Sequence, residues 1–489
     1  MTIFPLAGIK TRQALLAACI LVCIANALAY TWFHSNPLLA SDTWHYLDVF
    51  VRKALTGDLT LADFFAKRSG LDHAQPINKL ILYLDTFTSG LDFTYEALVG
   101  ILFGILAIFL IWWFAHQEAL RGRYDAGTSI CLVAVGAVFF SLNSSAPFAY
   151  YLVTLGYSLH ALVILLVWLS WRSLVSGRSL GLISGALLIA LCADDSAYIF
   201  TLAIICGVLF TGYRLGRARD AWRVTMLLLA GLIIARLIYS MPALQADGGG
   251  GGLSVAGRIG VLRQHISDMS RWLVVPSACS LMCAEQLSHY FGEGWKQWEL
   301  ILGSFMIAVQ VWFWVVIWKT RPSQMVFAAI TLMLLGYGYW AGILYGRIPQ
   351  FGVEYFYQPR YVLVYMLVPV ALLLVGMVRL STSQAGRVES SIIVTVAVGI
   401  IAMQLPLSTL TWRDAIYVDN YYQNMADQMF AIARHPGVDP ANCVPLLTVC
   451  DQPQSKRDDL FALLRTYRLN LFSREFSNRH SMYEGDAPR

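Results

Sequence analysis

The chain has 489 residues, of which 57% are hydrophobic and 13% charged, whereas an ordinary soluble domain carries roughly a quarter of charged residues. That balance excludes a water-soluble globular protein, and a net charge of +5 with no Lys/Arg-rich segment among exposed aromatics argues against a nucleic-acid partner. Apolar runs long enough to cross about 30 Å of hydrocarbon recur along the chain, so its solvent is a bilayer and membrane lipids are its first expected partners.

The run 13–33 follows Lys10 and Arg12 and lacks a small-residue cleavage site before Tyr30-Thr31-Trp32, so it reads as an uncleaved first span. Ten more spans are predicted at 94–115, 127–142, 151–171, 179–193, 196–213, 224–240, 297–318, 325–345, 361–378 and 391–411. The expected fold class is an all-α membrane protein of about eleven transmembrane helices. Threaded alternately, one side collects Lys10, Arg12, Arg121, Arg123, Arg172, Arg178, Arg214, Arg217, Arg219, Arg223, Lys319, Arg321, Arg379 and Arg387. The positive-inside rule makes that side cytoplasmic, which puts the N-terminus inside and the C-terminus outside. The cytoplasmic connections are short and hold no glycine-rich phosphate loop, so they leave no room for a cytosolic nucleotide-binding domain. Polar mass falls instead on outer segments 34–93, 241–296 and 346–360 of a multi-span domain 1–411, and on an extracytoplasmic C-terminal region 412–489. That region carries helical patterns at 417–433 and 455–472 and is expected to dock on the outer loops. Cys19, Cys23, Cys131, Cys192 and Cys206 read as small residues of apolar spans, whereas Cys279/Cys283 and Cys443/Cys450 fall outside, where short-range disulfides or free thiols are both open readings.

The first outer segment opens with Ser41-Asp42-Thr43-Trp44-His45-Tyr46, followed by amphipathic stretches through Val49, Phe50, Ala54 and Leu55 and around Leu61, Phe64 and Phe65. These are expected to lie in the interface, with Trp and Phe facing lipid and Lys53, Lys67 and Arg68 reaching headgroups. Asp42, where the first span emerges, has two open readings, a general base beside a water-filled cleft or an N-cap. Asp72 and His73, in the Gly/Pro-rich break before Asn78 and Lys79, offer a second polar wall that orients a hydroxyl or a metal, although no HxxxH or HExxH spacing accompanies them.

Asp194 and Asp195 join two spans with almost no loop, so at least one carboxylate is expected near the hydrocarbon boundary, as a functional acid or as a helix-capping turn. His160 within a span and Arg236 near the outer end of another raise the same question, and Arg236 has snorkelling as its alternative. After Pro242 come Asp247, five glycines at 248–252, and a stretch whose Ile259, Leu262, Ile266, Met269 and Leu273 share a face opposite Arg258, Arg263, Asp268 and Arg271. This reads as a lid or a linker followed by an interfacial helix. Arg347 and the run Glu354-Tyr355-Phe356-Tyr357-Gln358-Pro359-Arg360-Tyr361 bracket the next outer connection, where Arg360 suits phosphate binding at headgroup depth or simple interface anchoring.

An Asp after the first span, two amphipathic helices in the first loop, a glycine-rich later loop, an Arg-Tyr pair opening a late span and a C-terminal outer tail together resemble the GT-C superfamily of membrane glycosyltransferases. Arg468-Leu469-Asn470-Leu471-Phe472 likewise resembles the tail of bacterial proteins of this kind, which implies the bacterial cytoplasmic (inner) membrane. The resemblance implies a polyprenyl-phosphate or diphosphate sugar donor, a glycan or lipid acceptor, no required cofactor and an optional divalent metal. By the same resemblance Asp42 is the catalytic base, and Arg360 with Arg347 or Arg236 binds the leaving phosphate. Trp44, His45, Asp72, His73, Lys79, Asp194, Asp195, Gln358 and Tyr361 complete the expected substrate-binding set. The chain departs from the pattern at Asp42, a single acid where many members carry a pair, and Asp72 is the candidate partner. A polysaccharide polymerase or ligase of another class, supported by Arg347 and Arg360, is the rival enzyme reading. A transporter would show internal repeats, and none is evident.

Overall fold

The computed structural model describes residues 9–67, 73–119, 126–241, 244, 254–437 and 442–480. Arg68, Asp72, Arg121, Arg123, Pro242, Asp247 and the glycines 248–252 lie outside the described residues. Every regular element described is helical. Among the described residues, nine helices are long and apolar enough to cross a membrane: Ala14–His34, Phe93–Gln117, Tyr151–Ser176, Ser196–Arg214, Ala218–Tyr239, Ala284–Ile317, Gln324–Phe351, Pro359–Ser381 and Arg387–Arg434. The chain is therefore an all-α, multi-pass membrane protein. Two predicted spans correspond to shorter apolar helices, Ala126–Phe139 and Leu180–Ala193. At about 1.5 Å per residue each is about 21 Å long, less than the hydrocarbon thickness.

The helix ends are set by familiar chemistry. Ser323 caps Gln324–Gly346 by accepting from the Val326 N–H, and Gly177, at φ 75°, ends Tyr157–Ser176 in the left-handed region that glycine enters without steric cost. Between Leu180–Ala193 and Ala218–Tyr239, Gly231 permits close approach, since a Cβ there would lie 2.8 Å from Ala186 Cβ.

The two ends of the bundle differ in kind. At one end, arginines satisfy carbonyls that neighbouring helices leave open at their C-termini. Arg214 donates to Ile317 O (2.6 Å) and Trp318 O (2.9 Å), Arg217 to Val175 O (2.5 Å), and Arg223 to Ser173 O (3.0 Å). The other end is rich in loops. Its core joins the first loop (Leu38, Leu39, Leu47, Phe50, Val51) to the C-terminal region (Met425, Met429, Leu460, Phe461, Leu464).

That second core revises the expected surroundings of the first loop. Trp44 and Phe50 are buried rather than turned to lipid, and the Trp44 ring lies 5.4 Å from that of Phe461. The reason is the docked tail, which offers these aromatics an apolar cover. Lys53 pairs with Asp63 at 2.6 Å. The last span does not stop near 411: one helix, Arg387–Arg434, runs for 48 residues through the boundary between span and tail. Of the four cysteines expected outside, Cys443 and Cys450 form a disulfide, whereas Cys279 and Cys283 are free and buried. The latter two are held through Asn143, which donates to Cys279 O (3.0 Å) and accepts from the Cys283 N–H (2.7 Å).

The tail is fastened by Asn470, fully buried, with its amide on Pro37 O (2.9 Å) and Leu91 O (2.5 Å) and its N–H on Gly90 O (2.7 Å). Removing a buried amide that satisfies two carbonyls costs about 1–3 kcal/mol. Asn470→Ala is therefore expected to loosen 454–480 and speed its cleavage in limited proteolysis, while the span region keeps its protease resistance.

Candidate functional site

The turn between Leu180–Ala193 and Ser196–Arg214 consists of Asp194 and Asp195. Asp194 has φ 47° and ψ −122°, a strained conformation for a residue with a Cβ. Its contacts hold it there. The carboxylate accepts from the Ala74 N–H (2.7 Å) and from Arg236 Nη1 (3.2 Å), and its backbone carbonyl accepts from Arg236 Nη2. Arg236 Nη1 also reaches Asp195 Oδ1 at 3.1 Å. The guanidinium lies 4.0 Å from the Tyr198 ring centroid, so one face is packed while the edge holds the turn.

Onto this turn the first loop brings His73, whose Nδ1 lies 3.5 Å from Asp195 Oδ2 and 3.9 Å from Asp194 Oδ2. Lys67 Nζ is 3.6 Å from Asp195 Oδ1, and the Lys67 N–H donates to Leu244 O (3.1 Å) beyond the end of Ala218–Tyr239. Side-chain exposure rises from 3% at Asp194 through 36% at Asp195 to 41% at His73, so the cluster leads from a buried carboxylate to an accessible imidazole. Burial opposes ionisation of Asp195, but the His73 hydrogen bond and the charges of Lys67, His73 and Arg236 prevail and hold the carboxyl below its usual range. Carboxylates can only accept, so the Nδ1 that faces them is the ring nitrogen suited to donate.

One donor atom each from His73, Asp194 and Asp195 falls within 4.8 Å of the others, the spacing of a metal site. The charge does not fit. Both carboxylates already face Arg236 or Lys67, and a divalent cation would add charge that no other described residue of the cluster is shown to balance. The arrangement sets an imidazole beside two carboxylates, groups that can exchange a proton.

The remaining predicted residues fall elsewhere at this end or in its supports. Asp42 is exposed, at the N-cap position of Thr43–Tyr46, with no side-chain capping bond. The backbone of its neighbour Ser41 is tied to the tail, its N–H on Leu446 O (2.7 Å) and its carbonyl accepting from Thr448 Oγ1 (2.7 Å). Trp44 is core, and His45 is partly buried beside Tyr46. Lys79 is buried, with its ammonium on Asp63 O (2.9 Å) and Ala66 O. It therefore positions the strand of loop that leads to His73 rather than facing a ligand. His160 is also core, between Phe139 and Tyr157.

Arg347, Gln358 and Arg360 are exposed, and Tyr361 is half-buried. The Arg360 guanidinium covers Tyr355 and Tyr361 at 5.5 and 5.4 Å from their ring centroids and donates to the Tyr355 hydroxyl. Beside it lies a network that sequence reasoning missed. Arg271 pairs with Glu354 (2.6 Å), and Lys296 donates to the Tyr357 hydroxyl (2.6 Å), which in turn donates to Glu299 (3.0 Å). Only the density of Tyr around Arg360 could have signalled it, because the partners come from three separate segments.

Two predictions follow from this geometry. Replacing Arg236 by Met leaves the buried Asp194 carboxylate without its cation, and loss of one partner of such a pair costs about 3–5 kcal/mol. The thermal midpoint in detergent should fall accordingly, and Arg236→Lys, lacking the fork, should recover only part of it. Burial lowers the Lys79 ammonium to about 8 against the opposing pull of Asp63 and Asp194. Between about pH 8 and the ordinary lysine value of 10.5, the folded chain has released a proton that the unfolded chain retains, so stability rises with pH across that window. A Lys79→Met variant should lose this rise in thermal unfolding curves.

Compared with known proteins, the chain matches no family model, no curated protein and no solved structure.

Proposed function

We propose that the protein is an inverting glycosyltransferase that moves a sugar from a polyprenyl-phosphate or diphosphate donor to a glycan or lipid acceptor at the loop-rich end of the bundle. The observation that carries this reading is the meeting of His73 from the first loop with the Asp194-Asp195 turn and Arg236. It gives an accessible base, oriented by carboxylates, at the edge of the membrane-spanning region. Exposed Arg347 and Arg360, set among tyrosines at the same end, suit the phosphate of a lipid-linked donor.

By the positive-inside rule the arginine-capped end faces the cytoplasm, which makes the loop-rich end extracytoplasmic. The Cys443–Cys450 disulfide suits that assignment, since such bonds persist in oxidising compartments. A bacterial inner-membrane location follows from the same reading. A lipid-linked donor also removes any need for a cytosolic nucleotide domain.

In the reaction, His73 Nε2 takes the proton of an acceptor hydroxyl, and Asp195 stabilises the imidazolium that forms. The hydroxyl oxygen bonds to the anomeric carbon as the bond from that carbon to the donor phosphate breaks. The electron pair leaves with the phosphate, whose added charge Arg347 and Arg360 stabilise. Attack from the face opposite the phosphate inverts the anomeric centre. Asp42 retains the base role implied by the family resemblance as the competing assignment.

A membrane assay with radiolabelled prenyl-phosphate sugars tests this directly. His73→Gln should lower the transfer rate by about 10²–10⁴-fold at unchanged protein level, and Arg360→Gln should weaken donor use. If Asp42→Asn abolishes transfer and His73→Gln does not, the base assignment moves to Asp42. Absence of transfer from any prenyl-linked sugar in the unmodified protein would reject the glycosyltransferase reading. The exposed arginines of the late loops also favour a second reading, a polysaccharide polymerase or ligase, in which Arg347 and Arg360 variants fail while both His73 and Asp42 variants retain activity.

A further inference from the structure

At the opposite end from the candidate site, the helices Trp295–Ile317 and Arg387–Arg434 splay apart over Leu367–Ser381 and enclose a cleft of about 1030 Å³. Leu372, Leu373 and Gly376 form its floor, Phe305 and Trp312 one wall, and Ile392 the other. Phe305 and Ile392 are exposed, and a side chain at Gly399 would meet nothing within 4 Å, so the cleft opens sideways toward the surrounding hydrocarbon.

Its loop-rich end is closed. Met282, Leu287 and Leu407 pack together with Leu302 and Met403 across it, and Tyr290 donates to Pro406 O (2.7 Å) while Gln286 donates to Thr411 Oγ1 (3.0 Å). The other end is a charged mouth lined by Lys319, Arg379, Arg387 and Glu389. Arg379 and Glu389 neutralise one another in a two-pronged pair, Nε and Nη2 each 2.6 Å from a carboxylate oxygen. Lys319 and Arg387 are exposed and add positive charge that this pair does not offset. From Arg387 to Met403 the wall is about 24 Å long at 1.5 Å per residue, which exceeds the depth of one leaflet, about half of 30 Å.

A blind apolar cleft, open to lipid along its flank and cationic only at its mouth, dictates the orientation of what fills it. We propose that it holds an anionic phospholipid, with its phosphate at Lys319 and Arg387 and an acyl chain extended along the cleft. Basic pockets between spans at the cytoplasmic membrane surface recognise anionic headgroups by this combination of charge and apolar lining. The site is separate from the candidate active site and does not depend on its chemistry.

The full-length protein, purified in mild detergent and stripped of lipid, can be titrated with phosphatidylglycerol or phosphatidylcholine while thermal unfolding is followed, with bound lipid counted by native mass spectrometry. Phosphatidylglycerol should bind at least tenfold more tightly and raise the midpoint. Lys319→Gln/Arg387→Gln, at exposed positions, should erase the preference, and Gly399→Trp, which fills open space, should erase binding of both lipids. Equal response to the two lipids, or binding that survives Gly399→Trp, would overturn the proposal. So would a protein dimer that Gly399→Trp converts to monomer, since a second copy would then be the occupant.

Discussion

The join between the first loop and the bundle depends on how Arg236 holds the Asp194-Asp195 turn. A buried carboxylate at the end of an apolar helix is costly, and so is a positive φ at a residue with a Cβ. One guanidinium meets both costs, because it binds the Asp194 carboxylate, its backbone carbonyl and the neighbouring carboxylate at once. On the same helix as Arg236, Gly231 lets that helix lie close against Leu180–Ala193. Packing inside the membrane region thus sets the geometry of a polar cluster at its edge, and the Ala74 N–H on Asp194 transmits that geometry to the first loop. His73 is where it is because its neighbour is bonded to a fixed acid.

The first loop is fixed from a second direction by the C-terminal region. Ser41 is tied to Leu446 and Thr448, Trp44 lies against Phe461, and Asn470 joins Pro37, Gly90 and Leu91. The 48-residue helix Arg387–Arg434 makes this possible. It carries the chain out of the bundle without a break and delivers the tail onto a loop more than 350 residues earlier in sequence, as in the pair His34 and Asp419, 3.0 Å apart. A loop clamped between a membrane-edge turn and a folded tail is suited to hold a reactive group with little reorganisation.

Much of the scaffold was legible from the sequence, because hydrophobic length and period are local signals. All eleven predicted spans coincide with apolar helices, although only nine reach crossing length among the described residues. The adjacent acids at 194 and 195 announced themselves by their cost in that setting. What the sequence hid is long-range. Nothing near Trp44 or Phe50 reveals that Phe461 and its neighbours will cover them, so an amphipathic stretch was read as facing lipid. Lys79 looked available for a ligand, and only the folded loop shows its ammonium occupied by two carbonyls. The pairing of His73 with the distant Asp194-Asp195 turn, and of Tyr357 with Arg271 and Lys296, depends on helix packing that no local pattern encodes. Of the two cysteine pairs left open between bond and free thiols, Cys443 and Cys450 bond, whereas Cys279 and Cys283 stay free with their backbone held by Asn143 from a distant turn.

The two ends of the molecule use the same residue type for opposite purposes. Arg214, Arg217 and Arg223 are committed to helix carbonyls, so their charges complement helix dipoles and leave little for a ligand. Arg360 is exposed over the rings of Tyr355 and Tyr361, where stacking orients a guanidinium without neutralising it, and Arg347 is exposed just after the end of Gln324–Gly346. Basic residues counted along the sequence therefore report membrane orientation, whereas their partners in the fold separate those that finish the scaffold from those left to meet an anion. By that criterion Arg236, the most tightly engaged of the candidates, holds the Asp194-Asp195 turn, whereas Arg347 and Arg360 keep their guanidiniums exposed.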